Sequence, residues 1–524
     1  METRNQDICF NFFKLPPSQW GDHFLSVPFT DSDFDVLAKD IEELKPKVRE
    51  DIFSLSSDAI KRKILSIHLL ISLGLSYHFE NEIEETLKHA FENIEDLIAD
   101  ENDLYTISTM FRVLRTCGYN MLSGADFLKT CMSYVFNRFK GKNGKFKESL
   151  TKDVKGMLSF YEAVHFRTTT DHILDEASSF TLDHLEPLAT RHRASPPNML
   201  KLIQKALHIP QHRKSQALIA REYISFYEQE ADRDETLLKL AKLNFKFFQL
   251  HYFQELKTIT MWWRELNHTL NLPRNSKERT VESWFSALVI NFEPQVSLGR
   301  IMSAKLYLLV TFLDDACDIH GSIPEVTSLV DCLERWEPDY MGNLRGHMKS
   351  SFQFVMYVFK EYEEILRSQE RSFMLQNLIE EAAMACSIMG LGEIGKKKDF
   401  ELLRSRPKLV RSLAAKTRLM DDMADYEDDM KKGYTANAIN YYMKQHGVTK
   451  EEANMKFEKM IGNINMIVNE ECIKMTNISR PILDQFVGFG RLLDVLYTAD
   501  DVFNHRDGKF KDYIFTLLID PIHP

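Results

Sequence analysis

The chain has 524 residues, more than one ordinary hydrophobic core supports, so two domains are expected. Hydrophobic residues make up 44% and charged residues 27%, a balance that excludes intrinsic disorder. The formal net charge of −11 at pH 7 argues against a general nucleic-acid binder, because binding to the phosphate backbone requires clustered lysine and arginine.

The amino-terminal segment METRNQDICFNFF contains early acidic residues and differs from the Ser- and Arg-rich, acid-poor leaders of organelle proteins. No apolar stretch is expected to approach the roughly 18 to 20 residues that span a bilayer. The seven cysteines are scattered without a CxxC pair, which predicts neither a disulfide framework nor a zinc site. We therefore expect a cytoplasmic protein without a membrane span.

Helical periodicity dominates the rest of the chain. The segments SIHLLISLGLSYHFENEIEETLKHAFENIEDLI and RSFMLQNLIEEAAMACSIM place apolar residues at spacings of three and four. Alternating patterns typical of strands are hard to find, so the predicted fold class is all-α. The charged stretch YEQEADRDETLLKLAKLNF, near Asp232, is the best candidate for a domain boundary. We predict two helical domains, over residues 1–231 and 232–524.

A first acidic cluster, FLDDACD, follows directly after an apolar run. Asp314 and Asp318 are four residues apart, so a continuing helix places both carboxylates on one face, with Asp315 beside them. No lysine in the preceding turn offsets their repulsion. A solvated helix end is one interpretation. A site for Mg2+ is the other, because this ion prefers oxygen ligands and commonly bridges carboxylates to substrate phosphates.

A second acidic cluster lies far downstream, in RLMDDMADYEDDMKKG. Asp421, Asp425 and Asp429 are spaced by four residues, which aligns three carboxylates on one helix face. Two such clusters could face each other across a helical bundle, as paired carboxylates do in known metal-binding bundles. Together they would bind several Mg2+ ions and, through them, a diphosphate. Metal ions make a diphosphate a good leaving group by neutralising its developing charge.

Several segments resemble the plant class I terpene synthases, most closely the cytosolic sesquiterpene synthase type (type-a subfamily). They occur in the order of that family over nearly the whole chain: LPPSQWGDHFL, FYEAVHF with ILDEA, FEPQVSLGR, the DDxxD motif, RLMDDMADYEDDMKKGYTANAINYYMKQHG and HRDGKF. The resemblance implies a non-catalytic amino-terminal α-domain, whose first residues pack on the carboxy-terminal domain. It implies a catalytic carboxy-terminal α-bundle that binds substrate diphosphate through three Mg2+ ions, with Mn2+ as an expected substitute.

The resemblance also assigns metal ligands. It implies Asp314, Asp315 and Asp318 in the first motif and Asp421, Asp425 and Asp429 in the second. At two positions the chain departs from the family pattern, because Asp425 replaces a hydroxyl residue and Asp429 replaces Glu. The extra carboxylate and the shorter side chain could change metal affinity or selectivity, although both positions keep oxygen ligands.

Further site residues are implied in the same way. Lys277 and Arg279 correspond to the family's Arg-x-Arg motif, and Arg418 matches another arginine that binds diphosphate. Lys277 lacks the two-pronged geometry of a guanidinium. Asp507 in HRDGKF resembles the aspartate of the loop that closes over the site and excludes water. The expected lining of the substrate pocket comprises Trp284, Phe285, Ser286 and Ser387.

The resemblance implies a monomeric carbon–oxygen lyase that ionises farnesyl diphosphate and releases diphosphate and a sesquiterpene. The tandem arginine motif before Trp20 is missing, which speaks against a cyclase of geranyl diphosphate. Three alternatives stay open. The same chemistry could act on geranylgeranyl or geranylfarnesyl diphosphate. Asp421 to Asp425 also reads as a second DDxxD, as in a trans-prenyl diphosphate synthase. A non-catalytic helical binding protein would fit the departures at Lys277, Asp425 and Asp429.

Overall fold

The computed structural model describes Pro16 and most of the chain from residue 19 to residue 522. The residues not described within that span are 55–58, 120–131, 191–196, 273–277, 318–320, 338–339, 343, 369–387, 389–390, 392–393, 434 and 499–500. In the described part, helices predominate, and the one β-type pairing is an isolated bridge between Lys140 and Phe146. The predicted all-α class is confirmed.

The α-helices of the described residues are labelled in chain order. They are α1 (Trp20–Leu25), α2 (Asp31–Phe53), α3 (Ile60–Ser72), α4 (Glu80–Glu92), α5 (Ile94–Ala99), α6 (Leu104–Thr116), α7 (Val154–Val164), α8 (His172–Thr190), α9 (Pro197–His208), α10 (Gln216–Tyr227), α11 (Glu235–Leu270), α12 (Thr280–Ile290), α13 (Ser297–Asp315), α14 (Ile323–Arg335), α15 (Gly346–Ser368), α16 (Lys397–Arg404), α17 (Lys408–Ala424), α18 (Tyr426–Lys432), α19 (Ala438–His446), α20 (Lys450–Lys474), α21 (Arg480–Tyr497) and α22 (Lys509–Ile514). Short 3-10 helices include Gln211–Arg213, and a π-helix covers Phe515–Ile519.

Local sequence explains where several helices begin and end. Thr449 accepts the backbone N–H of Glu452, whose side chain in turn accepts the N–H of Thr449, so a reciprocal capping box starts α20. Asn437 caps α19 by accepting the N–H of Ile439. Gly433 ends α18 at a φ of 81°, a left-handed backbone that glycine adopts without a Cβ penalty. Sequence chemistry therefore fixes the helix ends around the second acidic cluster.

The chain forms two compact units, neither of which is continuous in sequence. The first unit comprises Met1–Thr30, Phe248–Pro407 and Val502–Pro521, and the second comprises Asp31–Phe247, Lys408–Asp501 and Ile522–Pro524. One division between them falls inside α11. The first acidic cluster belongs to the first unit and the second cluster to the second unit. The domain boundary at residues 231 and 232 was inferred from sequence and stays a prediction.

Aromatic packing joins distant segments within the first unit. The ring of Trp20 in α1 lies 5.6 Å from that of Phe510 in α22, and Phe510 lies 5.1 Å from Phe285 in α12. Phe285 also stacks on Tyr513, with 6.0 Å between ring centroids. Such pairs add to the free energy of burying the rings themselves. The amino-terminal helix and the carboxy-terminal helix are thus fixed against the same face of α12.

Helix α13 is the main apolar helix of the first unit. The segment Pro294–Asp315 is the one stretch of the described chain that is long and apolar enough to cross a membrane, with a mean hydropathy of 1.4. This segment is an exception to the expectation that no apolar stretch approaches the length of a bilayer span. Of its most apolar window, 61% is buried inside the protein, which is also the pattern of a core helix.

The second unit has two apolar regions. In the first, α6 and α7 pack together, and Phe136 stacks on Phe160 with 4.7 Å between ring centroids. In the second, α17 packs on α20 and α21, where Leu419 and Met420 are buried with Phe457 and Leu493. Because Leu419 and Met420 directly precede Asp421, burial of one face of α17 sets the direction of the second acidic cluster.

Candidate metal-binding clusters

The first acidic cluster stands at the carboxyl end of α13. The helix buries Leu309 and Phe312 and ends at Asp315, after which Ala316 keeps right-handed helical dihedral angles. Asp314 is exposed and Asp315 is partly buried. The apolar face of α13 therefore holds the backbone in place, while both carboxylates remain accessible to a ligand.

Arg279 bonds to this cluster from another helix. It precedes the first residue of α12 and is only 4% exposed. It donates to one carboxylate oxygen of Asp315 at 3.3 Å and forms an ion pair with the other at 3.1 Å. It also donates to the backbone carbonyl of Thr311 at 3.3 Å, while its Nε–H is buried without a hydrogen-bond partner in the described structure. The local sequence supplies no cation to this cluster, and the fold supplies one from a position 36 residues upstream.

The same segment anchors the loop that contains Asp507. Arg506 donates to the backbone carbonyl of Glu278 at 3.1 Å and to the side chain of Glu282 at 3.0 Å. Glu282 is 1% exposed, so this ion pair is largely shielded from water. Asp507 itself is exposed, and its carboxylate lies 3.6 Å from the ammonium group of Lys511. Residues 278–282 thus contact the first acidic cluster on one side and the HRDGKF loop on the other.

The second acidic cluster spans the junction of α17 and α18. The prediction of one continuous helix is wrong in detail, because α17 ends at Ala424 and α18 begins at Tyr426. Asp425 lies between them at φ −92° and ψ −1°, but the helical hydrogen bonds continue. The N–H of Asp425 donates to the carbonyl of Asp421, and the N–H of Asp429 donates to that of Asp425, both at 2.9 Å. The predicted four-residue spacing along one face therefore survives the break.

Polar side chains from three elements bind these aspartates. Arg418, largely exposed, donates to Asp421 at 2.5 Å, and the hydroxyl of Tyr497 on α21 also hydrogen-bonds to Asp421. The amide of Asn437 donates to Asp429 at 3.0 Å. The buried neighbour Asp422 accepts from Arg418 and from the N–H of Ala438, so its carboxylate serves the packing of this region.

A largely buried ion network lies behind the second cluster. Lys416, two residues before Arg418 on α17, donates to Asp494 on α21 at 2.8 Å and to the carbonyl of Gly490 at 3.1 Å. Arg213 donates to both oxygens of Asp494, at 2.5 and 3.0 Å. Together, Arg213 and Lys416 hold the pKa of Asp494 below its usual value against the effect of burial. The register of α17 against α21 is thereby set by an ion pair, Lys416 with Asp494, whose two side chains are buried.

The second cluster concentrates negative charge in a partly buried place. Burial raises the pKa of Asp421, and the carboxylates of Asp422 and Asp429 act in the same direction, whereas Arg418 and Tyr497 lower it. Within the described residues no three His, Cys, Asp or Glu side chains are close enough to hold a metal ion on their own. One or two carboxylates are enough to bind Mg2+, because this ion takes its other ligands from water and substrate phosphate.

The predicted pocket residues on α12 are described, and all are buried. Trp284 donates from its ring N–H to Glu255 at 2.8 Å, and its ring lies edge-on to that of Tyr252. Phe285 packs on Phe510 and Tyr513, and the Ser286 hydroxyl donates to the carbonyl of Glu282 at 3.0 Å. Their proposed role in lining a substrate pocket stays a prediction.

Three of the predicted site residues lie outside the described part of the chain: Lys277, Asp318 and Ser387. The segment RSFMLQNLIEEAAMACSIM, used above as an example of helical periodicity, also falls almost entirely there. Their proposed roles remain predictions. The described part of the chain includes Arg279, Arg418, Asp507 and the other predicted aspartates, whose positions are given above.

Two models of known protein families match this chain. The model of the terpene synthase N-terminal domain matches residues 19–207, and that of the terpene synthase family metal binding domain matches residues 264–384 and 378–467. Alpha-barbatene synthase of Arabidopsis thaliana is 68% identical over 98% of this chain and 97% of its own length. The chain belongs to the terpene synthase family. It is therefore an enzyme with the family's metal-binding domain and a divalent metal cofactor.

Two further comparisons support family and fold. (Z)-gamma-bisabolene synthase 2 of Arabidopsis thaliana is 48% identical over 98% of both chains. The crystal structure of isoprene synthase from grey poplar leaves, in complex with three Mg2+ ions and dimethylallyl-S-thiolodiphosphate, superposes with a TM-score of 0.79. It covers 97% of this chain and 99% of its own at 24% identity, so it shows the shared fold. Both acidic clusters lie within the matched metal-binding region of this terpene synthase.

Sequence reasoning missed the residues that support the second cluster. Tyr497, Lys416 and Asp494 contact each other or Asp421 across long stretches of sequence, and nothing local marks them. Asn437 did carry a signal, because an asparagine immediately before an apolar helical segment is typical of an N-cap. The side-chain oxygen of Asn437 caps α19, and its side-chain nitrogen donates to Asp429.

Proposed function

We propose that this terpene synthase is a Mg2+-dependent class I enzyme that ionises farnesyl diphosphate and releases diphosphate and a sesquiterpene. The observation that carries this proposal is the pair of carboxylate clusters with an arginine bonded to each, Arg279 to Asp315 and Arg418 to Asp421. Two relatives with high identity along the full chain are named for sesquiterpene products, barbatene and bisabolene. These names support farnesyl diphosphate as the substrate.

The residues have distinct roles in the proposed reaction. Mg2+ bound by the aspartates would neutralise the negative charge that develops on diphosphate as the carbon–oxygen bond breaks. Arg279 and Arg418 exchange part of their bonding to aspartate for bonding to diphosphate oxygens, which a guanidinium can contact in a bidentate manner. Lys277 would add one further positive charge there. The allylic cation then rearranges in an apolar pocket and loses a proton.

The loop containing Asp507 is proposed to exclude water from the cation. Arg506 fixes the start of this loop to Glu282 on α12, whereas Asp507 lies at the exposed position one residue further on. Water that reached the cation would yield an alcohol, so the proportion of hydroxylated product should report how well the loop closes. Trp284, Phe285, Ser286 and Ser387 are proposed to shape the apolar pocket.

Product analysis tests the substrate. Purified protein with Mg2+ would receive farnesyl, geranyl, geranylgeranyl or geranylfarnesyl diphosphate separately, and gas chromatography with mass spectrometry would identify the hydrocarbons. We expect C15 hydrocarbons from farnesyl diphosphate to exceed all other products. A C20 or C25 hydrocarbon as the main product would keep the reaction class and overturn the substrate assignment.

A parallel reaction separates the remaining alternatives. Farnesyl and isopentenyl diphosphates would be supplied together, and a dephosphorylated duplicate would make any elongated product visible. A longer prenyl alcohol in the duplicate would indicate a prenyl diphosphate synthase. Absence of turnover of every substrate in folded protein would contradict the proposed reaction and point to the altered second motif as its cause. Three Mg2+ ions, replacement by Mn2+, the monomeric state and the cytoplasmic location stay predictions.

A further inference from the structure

A cleft in the second unit lies apart from both acidic clusters. It is formed by α3, α6, α7, α9 and α10 together with the 3-10 helix Gln211–Arg213, and none of its lining residues belongs to the DDxxD or second metal motif. The cleft is open to solvent. We call it the basic cleft.

The charge of the basic cleft is opposite to that of the protein as a whole. Four cationic side chains line it, Arg112, Lys155, Lys205 and Lys214, against two carboxyl groups. One of these carboxyl groups, Glu222, is shared by two lysines, because Lys214 donates to both of its oxygens at 2.6 and 2.7 Å and Lys205 lies 3.3 Å from it. The cleft therefore carries an excess of positive charge in a chain whose net charge is −11.

The other carboxyl group, Glu162, offsets little of this charge. Its oxygen accepts the backbone N–H of Gln211 at 2.9 Å, and burial raises its pKa to about 7. A substantial fraction of Glu162 is consequently protonated near neutral pH. The nearby imidazole of His68 is buried and uncharged, because burial first and then Arg112 and Lys155 lower its pKa.

Arg112 is the central cation of the cleft. It is 8% exposed and donates to two neutral acceptors, the side-chain oxygens of Gln211 and of Ser159. Its Nε–H is buried and has no hydrogen-bond partner in the described part of the chain. A buried donor of a charged group without a partner is costly.

The rest of the lining is apolar. Leu158, Leu202, Ala206, Ile219 and Phe226 contribute hydrocarbon surface from α7, α9 and α10. Lys155 lies at the exposed edge, with its ammonium group 4.7 Å from the centre of the Tyr105 ring. An apolar lining with a few convergent cations is suited to a molecule that has a charged head and a hydrocarbon body.

We propose that the basic cleft binds a small amphipathic anion, a phosphate monoester with a short hydrocarbon body, without the help of a metal ion. Arg112 and Lys205 contact the phosphate, and the hydrocarbon lies against the apolar side chains of α9 and α10. A phosphate dianion is attracted by the excess of positive charge that the four cations leave over the two carboxyl groups. Arginine also matches the geometry of phosphate oxygens in a bidentate manner.

Isothermal titration of full-length protein with hexyl phosphate tests this proposal. The buffer contains EDTA, because without divalent metal the aspartate clusters repel a phosphate and cannot account for binding. We expect saturable binding of one hexyl phosphate per chain. Inorganic phosphate and hexanol, which each supply half of the ligand, should bind more weakly, and hexanoate separates recognition of a carboxylate from recognition of a phosphate.

A matched pair of variants on one helix locates the site. Lys205→Gln removes a cation that lines the cleft, and we expect it to weaken binding about tenfold, as the loss of one charged hydrogen bond would. Lys201→Gln removes an exposed lysine one turn earlier on α9 that does not line the cleft, and it should bind like the wild type. Arg112→Gln should weaken binding further. Should this buried substitution prevent folding, Lys155→Gln provides a second test at the exposed edge.

Several results would overturn the proposal. They are equal affinity in wild type and Lys205→Gln, binding only in the presence of Mg2+, hexanol binding as tightly as hexyl phosphate, or no binding at millimolar concentrations. Turnover of farnesyl diphosphate should be the same in Lys205→Gln as in wild type, since the cleft shares no residue with either acidic cluster. Failure of this proposal is therefore distinguishable from failure of the proposed terpene synthase reaction.

Discussion

The two acidic clusters present the same carboxylates at the same four-residue spacing, yet the protein holds them in different ways. In the first, Asp314 is exposed at the end of an apolar helix, and Arg279 contacts its neighbour Asp315. In the second, Asp421 and Asp429 are partly buried and hydrogen-bond to Tyr497 and Asn437. The first cluster is positioned mainly by apolar packing, and the second by a polar network.

This difference has a physical consequence. The loss of an exposed carboxylate usually costs little stability, because surface substitutions change the free energy of unfolding only slightly. A buried ion network does not tolerate the loss of one member, because the remaining charges stay in a place where water cannot compensate them. Substitution of the exposed Asp314 should therefore affect mainly activity, whereas substitutions behind the second cluster should affect both activity and folding.

The largest expected effect is that of Asp314→Asn on activity. The variant keeps the shape of the side chain and removes its charge, so we expect turnover of farnesyl diphosphate with Mg2+ to fall by roughly three orders of magnitude. Because Asp314 is exposed, the free energy of unfolding should change by no more than about 0.5 kcal/mol. The control is Asp331→Asn on α14, an exposed aspartate outside both clusters that should leave both quantities unchanged. Strong destabilisation by Asp314→Asn would contradict the comparison.

Asp494→Asn tests the network behind the second cluster. It leaves the buried charges of Arg213 and Lys416 without their carboxylate, so the free energy of unfolding should fall by about 3 to 5 kcal/mol. Urea denaturation measures this loss. Asp484→Asn, on the same helix but with a side chain that is 50% exposed, should cost less than about 1 kcal/mol. Equal stability of the two variants would show that the network does not hold α17 in place.

The pH dependence of stability tests Lys416 separately. Burial lowers its pKa to about 8 from 10.5, so between these values the unfolded chain binds more protons than the folded chain. The free energy of unfolding should consequently rise with pH across this window, by up to about 3 kcal/mol for this group. The comparison is between wild type and Lys416→Met, since all other groups are common to both. Parallel pH profiles of the two proteins would contradict this assignment.

The smallest expected effect is that of Tyr497→Phe. The substitution removes the hydroxyl that hydrogen-bonds to Asp421 and keeps the ring, so we expect a loss of about 1 kcal/mol in metal binding, or roughly five- to tenfold in the Mg2+ concentration for half-maximal turnover. Turnover at saturating Mg2+ should change less. Phe312→Leu near the first cluster, which alters no polar contact, is not expected to shift this Mg2+ dependence. An unchanged Mg2+ dependence in Tyr497→Phe would separate this tyrosine from the metal site.

The helical class and the alignment of the second acidic cluster could be predicted from local sequence patterns. The four-residue spacing of Asp421, Asp425 and Asp429 predicted their alignment, and backbone hydrogen bonds maintain it across the junction of α17 and α18. The helical class followed from periodicity, because the period of apolar residues reports which face of a helix is buried. Local patterns suffice where the structure depends on residues a turn apart.

The supporting contacts were beyond such reasoning. Lys416 and Asp494 are 78 residues apart, and Arg213 lies still further from Asp494 in sequence. Their pairing depends on how whole helices pack, and one sequence contains no local signal for it. Arg279 could be predicted only in part. The resemblance implied that it contacts the diphosphate, but it did not imply a contact with the carboxylate of Asp315. The basic cleft could likewise not be predicted, because its four cations come from α6, α7, α9 and the residue that follows the 3-10 helix Gln211–Arg213.

The most direct measurement is a Mg2+ titration of farnesyl diphosphate turnover in metal-free protein, with C15 hydrocarbon and released diphosphate quantified together. We predict no turnover in EDTA, recovery on addition of Mg2+, equal amounts of the two products, and loss of recovery in both Asp314→Asn and Asp421→Asn. Turnover without a divalent metal, or full recovery in either variant, would contradict the central claim that both carboxylate clusters are needed for metal-dependent ionisation.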